Sequence, residues 1–189
     1  MNTFDNANLI ARRSLRIAWV WIFLAMFVAL PVVLWGGSEG EIVAATVKTA
    51  FGKDCETMLI KETSTAKEEI LVAIYSLTRR NINSALVRAV KRGVKVTLKY
   101  DLGQSDLDAM KEAVDYLKTH GVECIPVKMS DERATMHHKF MVIDRKRVLT
   151  GSYNYTSPAS TINYENLVVI DSAETATAFV KEFERIKDK

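Results

Sequence analysis

The chain has 189 residues, 48% of them hydrophobic, with 26 basic and 23 acidic side chains. That length allows one globular domain of ordinary size, and the hydrophobic share is normal once the N-terminus is set aside. Outside residues 1–35, which carry Arg12, Arg13, Arg16 and Asp5, 23 basic and 22 acidic residues remain. Bulk charge therefore excludes a strongly basic nucleic-acid binder, and any affinity for polyanions has to be local.

Residues 1–16 are polar, and Ile17–Trp35 is an uncharged apolar run of 19 residues. As a helix it would span roughly 28 Å, close to the hydrocarbon thickness of a bilayer. Trp19 and Trp21 lie near one end and Trp35 at the other, as interfacial anchors would. Arginines before the run and Glu39 and Glu41 after it put residues 1–16 in the cytoplasm and the domain on the extracytoplasmic side, periplasmic if the source is bacterial. One alternative is a cleaved signal peptide, with Val43-Ala44-Ala45 as a poor small-residue site and a secreted product. The other is a buried core helix. Residues 36–41 read as a linker, and residues 42–189 as the folded domain.

Within the domain, Ile42–Phe51 reads as a strand, and Asp54 as the cap of a helix running to about Lys67 with Leu59, Ile60, Thr63 and Ala66 on one side. Glu69–Leu77 is a continuous β-rich run. Arg80–Arg92 is helical, with Ile82, Leu86, Ala89 and Val90 in phase and Gly93 as its stop. Val94–Tyr100 is a strand. Ser105 caps a helix with Leu107, Met110, Val114 and Leu117 at helical spacing, ending at Gly121. Val122–Lys128 is another strand, and Pro126 marks it as an edge or a bulge. After a hairpin, Glu165–Ile170 is a strand, followed by a helix from about Ser172 with Ala176, Phe179, Val180, Phe183 and Ile186 inward. Strands alternating with helices mean an α/β architecture, with a mixed sheet parallel at first and antiparallel around the hairpin.

The hairpin carries the chemistry. It contains His137-x-Lys139, four residues, Asp144, six residues, then Gly151-Ser152-x-Asn154. Six fixed positions recur by chance on the order of 10⁻⁸ per register at ordinary residue frequencies. Phe140–Ile143 is long enough for a buried strand, so His137 and Lys139, two apart, leave its end on one face. Asp144 has the opposite parity, which argues for a turn-side role. Gly151 lets the backbone approach a ligand closely, and Ser152 and Asn154 can reach an anion. His138 points away from that face and reads as packing or surface. His137-His138 completes no familiar metal-ligand spacing. Arg79-Arg80, Lys91-Arg92 and Arg145–Arg147 are either solvated charge or the lining of a groove for a polyanion. Tyr153 and Tyr155 either stack on bases or pack. Cys55 and Cys124 are allowed a disulfide outside the cytoplasm, although the apolar strand around Cys124 favours a buried thiol.

The spacing resembles the motif of the phospholipase D superfamily, without substitutions, over about residues 45–187. It is closest to the short, single-motif members, bacterial non-specific endonucleases and the membrane-anchored mitochondrial type. The resemblance implies a mixed β-sheet flanked by helices, here preceded by a transmembrane or signal helix. It implies His137 as a nucleophile that forms a phosphohistidine. Lys139 and Asn154 would hold the phosphate oxygens with Ser152 assisting, Glu165 would fix the histidine tautomer, and Asp144 would join the catalytic set in a supporting role. Longer members build one site from two motifs. This chain has one motif and three histidines, His120, His137 and His138, so a second catalytic imidazole implies a homodimer. Lysine and paired histidines supply the positive charge, so no metal or other cofactor is implied. The substrate is a phosphodiester, either nucleic acid or membrane phospholipid. The remaining possibility is a nucleic-acid or membrane binding protein that keeps the motif without turnover.

Overall fold

A computed structural model describes residues 45–131 and 133–188. The expected segments 1–16, 17–35 and 36–41, and the proposed start at residue 42, lie outside the described residues. Among the described residues no helix is long and apolar enough to cross a membrane.

Among the described residues seven strands form one sheet: β1 (Thr46–Phe51), β2 (Glu69–Ile74), β3 (Lys95–Asp101), β4 (Glu123–Val127), β5 (Lys139–Ile143), β6 (Arg147–Gly151) and β7 (Asn166–Asp171). Their order is β1-β7-β6-β5-β2-β3-β4. β2, β3 and β4 are parallel, while β5, β6, β7 and β1 pair antiparallel, as the sequence pattern predicts. β4 is an edge, so the missing N–H of Pro126 costs no inter-strand bond on its open side. The change from parallel to antiparallel falls between β2 and β5. Lys139, at the start of β5, pairs with Ile74, at the end of β2.

Helices cover both faces. α1 (Asp54–Thr63), α2 (Arg80–Lys91) and α3 (Asp108–Thr119) pack on one, and α5 (Ala173–Arg185) on the other; α4 (Ser157–Thr161) is a single turn. Alternation decides which core each strand residue joins. Ile70, Val72, Ile74, Met141 and Ile143 face the first group, with Leu59, Leu86 and Leu117. Leu71, Ala73, Phe140 and Val142 face α5, meeting Ala176, Val180 and Phe183.

Three expected helix ends move. Asp54 is the first helical residue of α1, not its cap, and the helix stops at Thr63. There the Thr63 hydroxyl turns back onto the Leu59 carbonyl at 2.8 Å. A 3₁₀ turn, Leu102–Asp106, occupies the expected start of α3, which begins at Asp108. Leu107 therefore flanks the helix and is exposed rather than buried. Ser172 caps α5 as predicted, its hydroxyl accepting from the Thr175 N–H at 3.1 Å. Cys55 and Cys124 are both free thiols, Cys55 buried beneath β1 and Cys124 on the far edge strand.

Candidate active site

The ends of β1, β2, β3, β4 and β6 and the beginnings of β5 and β7 meet at one end of the sheet. The irregular segment leading into β5 is fastened there by two bonds. The N–H of Tyr75 donates to the His138 carbonyl at 2.9 Å. The N–H of Met136 donates to the Asp101 carboxylate at 2.7 Å, and Asp101 is only 3% exposed. His137 is thus held on both sides while its ring stays exposed.

Lys139 Nζ lies 3.2 Å from each ring nitrogen of His137 and donates to the His137 carbonyl at 3.0 Å. The Tyr75 ring sits against the imidazole with centroids 4.8 Å apart, and the ammonium lies 5.4 Å from the same ring's centre. Gln104 Nε2 donates to the Tyr75 hydroxyl at 2.8 Å, fixing that wall. Partial burial, then the Lys139 charge, push the His137 pKa below the ordinary imidazole value against the opposing pull of Asp101. A depressed pKa keeps the ring neutral, and a neutral ring is the nucleophilic form. Burial also lowers the Lys139 pKa, with Glu165 opposing.

β6 returns the second half of the motif to this end. Ser152 donates to Glu165 Oε2 at 2.5 Å, and Asn163 Nδ2 donates to Oε1 at 3.1 Å. The expected bond from the His137 ring to Glu165 is absent from this arrangement: Ser152 and Asn163 hold the carboxylate. Asn154 is half-buried and its Oδ1 has no donor among the described residues. Gly151 serves the sheet rather than a ligand, because a Cβ there would lie 2.3 Å from the Asn166 carbonyl oxygen of β7.

Asp144 is not at the site. It lies at the other end of β5, roughly 16 Å along the strand from Lys139. Its carboxylate accepts from the N–H groups of Lys67, Glu68 and Glu69. Burial alone would raise its pKa, and these donors more than offset that, holding it below the usual carboxylate range. Arg145 and Arg147 share that distant end, paired with Glu69 and with Glu62 and Asp171. They do not line the site. Arg79 is bound to Glu56, and Arg92 to the Thr63 carbonyl.

Tyr153 and Tyr155 are both about 1% exposed and pack, so neither stacks on a base; burial pushes the Tyr153 hydroxyl up to about 12. His138 turns to the α5 face, 3.0 Å from Glu182 and edge-on to Phe140. His120 pairs with the Tyr116 carbonyl after α3. A cavity of about 340 Å³ beside His137 is bounded by Met129, Met136, His138, Arg185 and Ile186. Sequence reasoning missed Tyr75, Asp101 and Gln104. For Asp101 a signal existed, a carboxylate at the C-terminal end of a parallel strand, where ligand sites collect.

Comparison with known proteins places these features in a family. The model of the phospholipase D-like domain of cardiolipin synthase matches residues 59–187. A phospholipase D of Rickettsia bellii is 30% identical over 145 residues, covering 75% of this chain and 69% of that protein. The mitochondrial cardiolipin hydrolase of Mus musculus is 27% identical, over 68% of this chain and 56% of its own length. Among solved structures, Nuc of Salmonella typhimurium, a phospholipase D family member, is 28% identical with a TM-score of 0.70, covering 76% and 94% of the two chains. NucT of Helicobacter pylori is 26% identical with a TM-score of 0.67, covering 75% and 96%.

Proposed function

Because this chain belongs to the phospholipase D superfamily, we propose that it is a phosphodiester hydrolase acting as a homodimeric, metal-independent endonuclease through a phosphohistidine. One observation carries the reading: an exposed imidazole, its pKa depressed, in contact with an ammonium at the mouth of the sheet. A ring nitrogen of His137 attacks phosphorus, forming a P–N bond as the P–O bond to the leaving group breaks. The departing oxygen takes a proton from the partner's His137, protonated at that moment. That imidazole, now neutral, removes a proton from water, which attacks phosphorus and releases His137. Lys139 and the Asn154 amide hold the non-bridging oxygens as their charge grows, and Ser152 joins them once its single hydroxyl proton turns from Glu165. The histidine census supports the dimer. His138 is turned to the α5 side and engaged by Glu182, and His120 lies beyond α3, so one chain brings a single imidazole to the Lys139 ammonium.

Mixed dimers of wild type and His137→Ala test the shared site. Heterodimers are expected to lose about 10²–10⁴-fold in kcat; isolated wild-type monomers with full activity would refute it. Cleavage of single-stranded DNA in excess chelator tests the substrate and the metal independence together.

A second reading, hydrolysis of a membrane phospholipid, is favoured by exposed apolar side chains at the same end of the sheet. Phe51 is 67% exposed at the end of β1, and Ile162 and Tyr164 are exposed just before β7. The apolar run Ile17–Trp35, read from the sequence as a membrane anchor, is compatible with a lipid substrate. Phospholipid vesicles offered beside single-stranded DNA separate the two readings.

A further inference from the structure

The groove between α2 and α3 takes no part in the chemistry above. It has a volume of about 500 Å³ and is bounded by Thr78, Arg80, Asn83, Ser84, Glu112 and Tyr116. On α2 it is lined by the first turns, Arg80 to Ser84, at the His137 end of the sheet, and on α3 it runs from Ala109 back to Tyr116, about 10 Å along the helix. The Thr78 N–H donates to the carbonyl of Tyr155 at 2.8 Å, and Tyr155 follows Asn154, so the groove begins beside the residues that hold phosphate.

Its walls suit a flat, hydrogen-bonding ligand. Asn83 is 3% exposed and lines the groove, yet its Oδ1 has no donor among the described residues. Buried amide oxygens nearly always have one. Tyr116 leaves part of its ring open and rests against His120, centroids 4.4 Å apart. Arg80 and Glu112 pair across the mouth at 3.3 Å with both side chains exposed. Such a pair contributes little, so the guanidinium can turn to a phosphate at small cost.

We propose that this groove binds a nucleobase of the substrate strand, adjacent to the phosphodiester that His137 attacks. The proposal rests on the endonuclease reading and names a recognition element for it. The base stacks on Tyr116, one of its N–H groups donates to Asn83 Oδ1, and Arg80 meets the neighbouring phosphate. Every base has a flat face and an N–H edge, so such a subsite grips the strand without selecting sequence.

Ala109→Phe, at an exposed position on the groove's edge, fills the space, and Tyr116→Ala removes the platform. With the full chain, each variant is expected to raise KM for a single-stranded oligonucleotide about tenfold. Hydrolysis of bis(4-nitrophenyl) phosphate, a diester without a base, is expected to stay at the wild-type rate. An unchanged oligonucleotide KM in both variants overturns the proposal. Deoxycytidine monophosphate titrated into wild type is expected to shift the Asn83 side-chain amide resonance saturably, and to fail in Ala109→Phe. No saturable shift, or one given by phosphoethanolamine alone, overturns it. Should wild type cleave phospholipid vesicles and not the oligonucleotide, the endonuclease reading fails, and the nucleotide titration still decides the groove.

Discussion

Replacing Asp144 separates scaffold from chemistry inside the motif. Its carboxylate accepts from three successive N–H groups, Lys67 at 2.9 Å, Glu68 at 2.8 Å and Glu69 at 3.1 Å. Bonds to an ionised acceptor contribute about 1.5–3 kcal/mol each. Lys67 and Glu68 are exposed, so water recovers most of theirs, whereas Glu69 is half-buried. The net loss in Asp144→Ala is therefore about 2 kcal/mol from the bonds. A further ~1 kcal/mol comes from the backbone, since Asp144 has φ +50° and alanine tolerates that region poorly. At 2–4 °C per kcal/mol for a domain of this size, Tm falls by roughly 6–12 °C. Asp144→Asn keeps an acceptor and tolerates the turn, so it loses less. The pH dependence has a definite sign. A carboxyl held below the ordinary carboxylate value of 3.8 stabilises the fold above that pH, and the contribution disappears as pH falls through the lower folded value. The wild-type advantage in Tm over Asp144→Ala should thus shrink only below about pH 4. Calorimetry beside a phosphodiesterase assay settles the matter. Unchanged Tm with a loss of about 10²-fold or more in kcat would refute the scaffold role.

Four further outcomes follow from the site and its supports. The acid limb of kcat/KM should lie below the ordinary imidazole value of 6.5, because His137 must be neutral to attack and its pKa is depressed. Lys139→Met removes a positive neighbour, so the limb in its residual activity should move up in pH; a downward move contradicts the electrostatics. Asp101→Ala strands the buried Met136 N–H and should cost about 1–3 kcal/mol in urea unfolding, with kcat falling more than KM rises. Asp101→Asn, which keeps an acceptor, should restore most of the stability, and both variants should shift the acid limb downward through loss of the carboxylate's charge. Gly151→Ala forces a Cβ to within 2.3 Å of the Asn166 carbonyl oxygen and should lower stability by about 3 kcal/mol.

The strands and their order of direction were legible because periodicity two and periodicity 3.6 are local properties of the chain. The continuous apolar run Ile70–Ile74 is buried on both faces of the sheet, and the helical phase of Met110, Val114 and Leu117 matches the buried face of α3. What was illegible depends on contacts between distant segments. Met136 meets Asp101 across 35 residues, and only the sheet order brings them together. Gly151 read as room for a ligand, yet the near neighbour is β7, which lies in the sequence beyond α4. Glu165 read as the partner of the histidine ring, yet the short route from Ser152 and Asn163 occupies it. The charge clusters misled for a related reason. Arg79, Arg92, Arg145 and Arg147 each find a partner the sequence does not announce, leaving Arg80 more exposed at the mouth.

The spacing inside the motif is itself a consequence of the sheet. β5 enters antiparallel to β2, so it presents its first residues, Lys139 with His137 just before it, at the end where β2 presents its last. A hairpin partner must then carry the chain back to the same end. Five residues out, a three-residue turn and five residues back separate Lys139 from Gly151. Shortening or lengthening the hairpin by one residue would rotate the side chains beyond β6 to the opposite face or displace them by a strand step. In the proposed mechanism, Ser152 and Asn154 would then miss the phosphate assigned to His137. Asp144, inside the turn and tied to the start of β2, fixes the register of that return. A residue can therefore belong to a catalytic motif by setting where two strands end, at roughly a strand's length from the atoms that react.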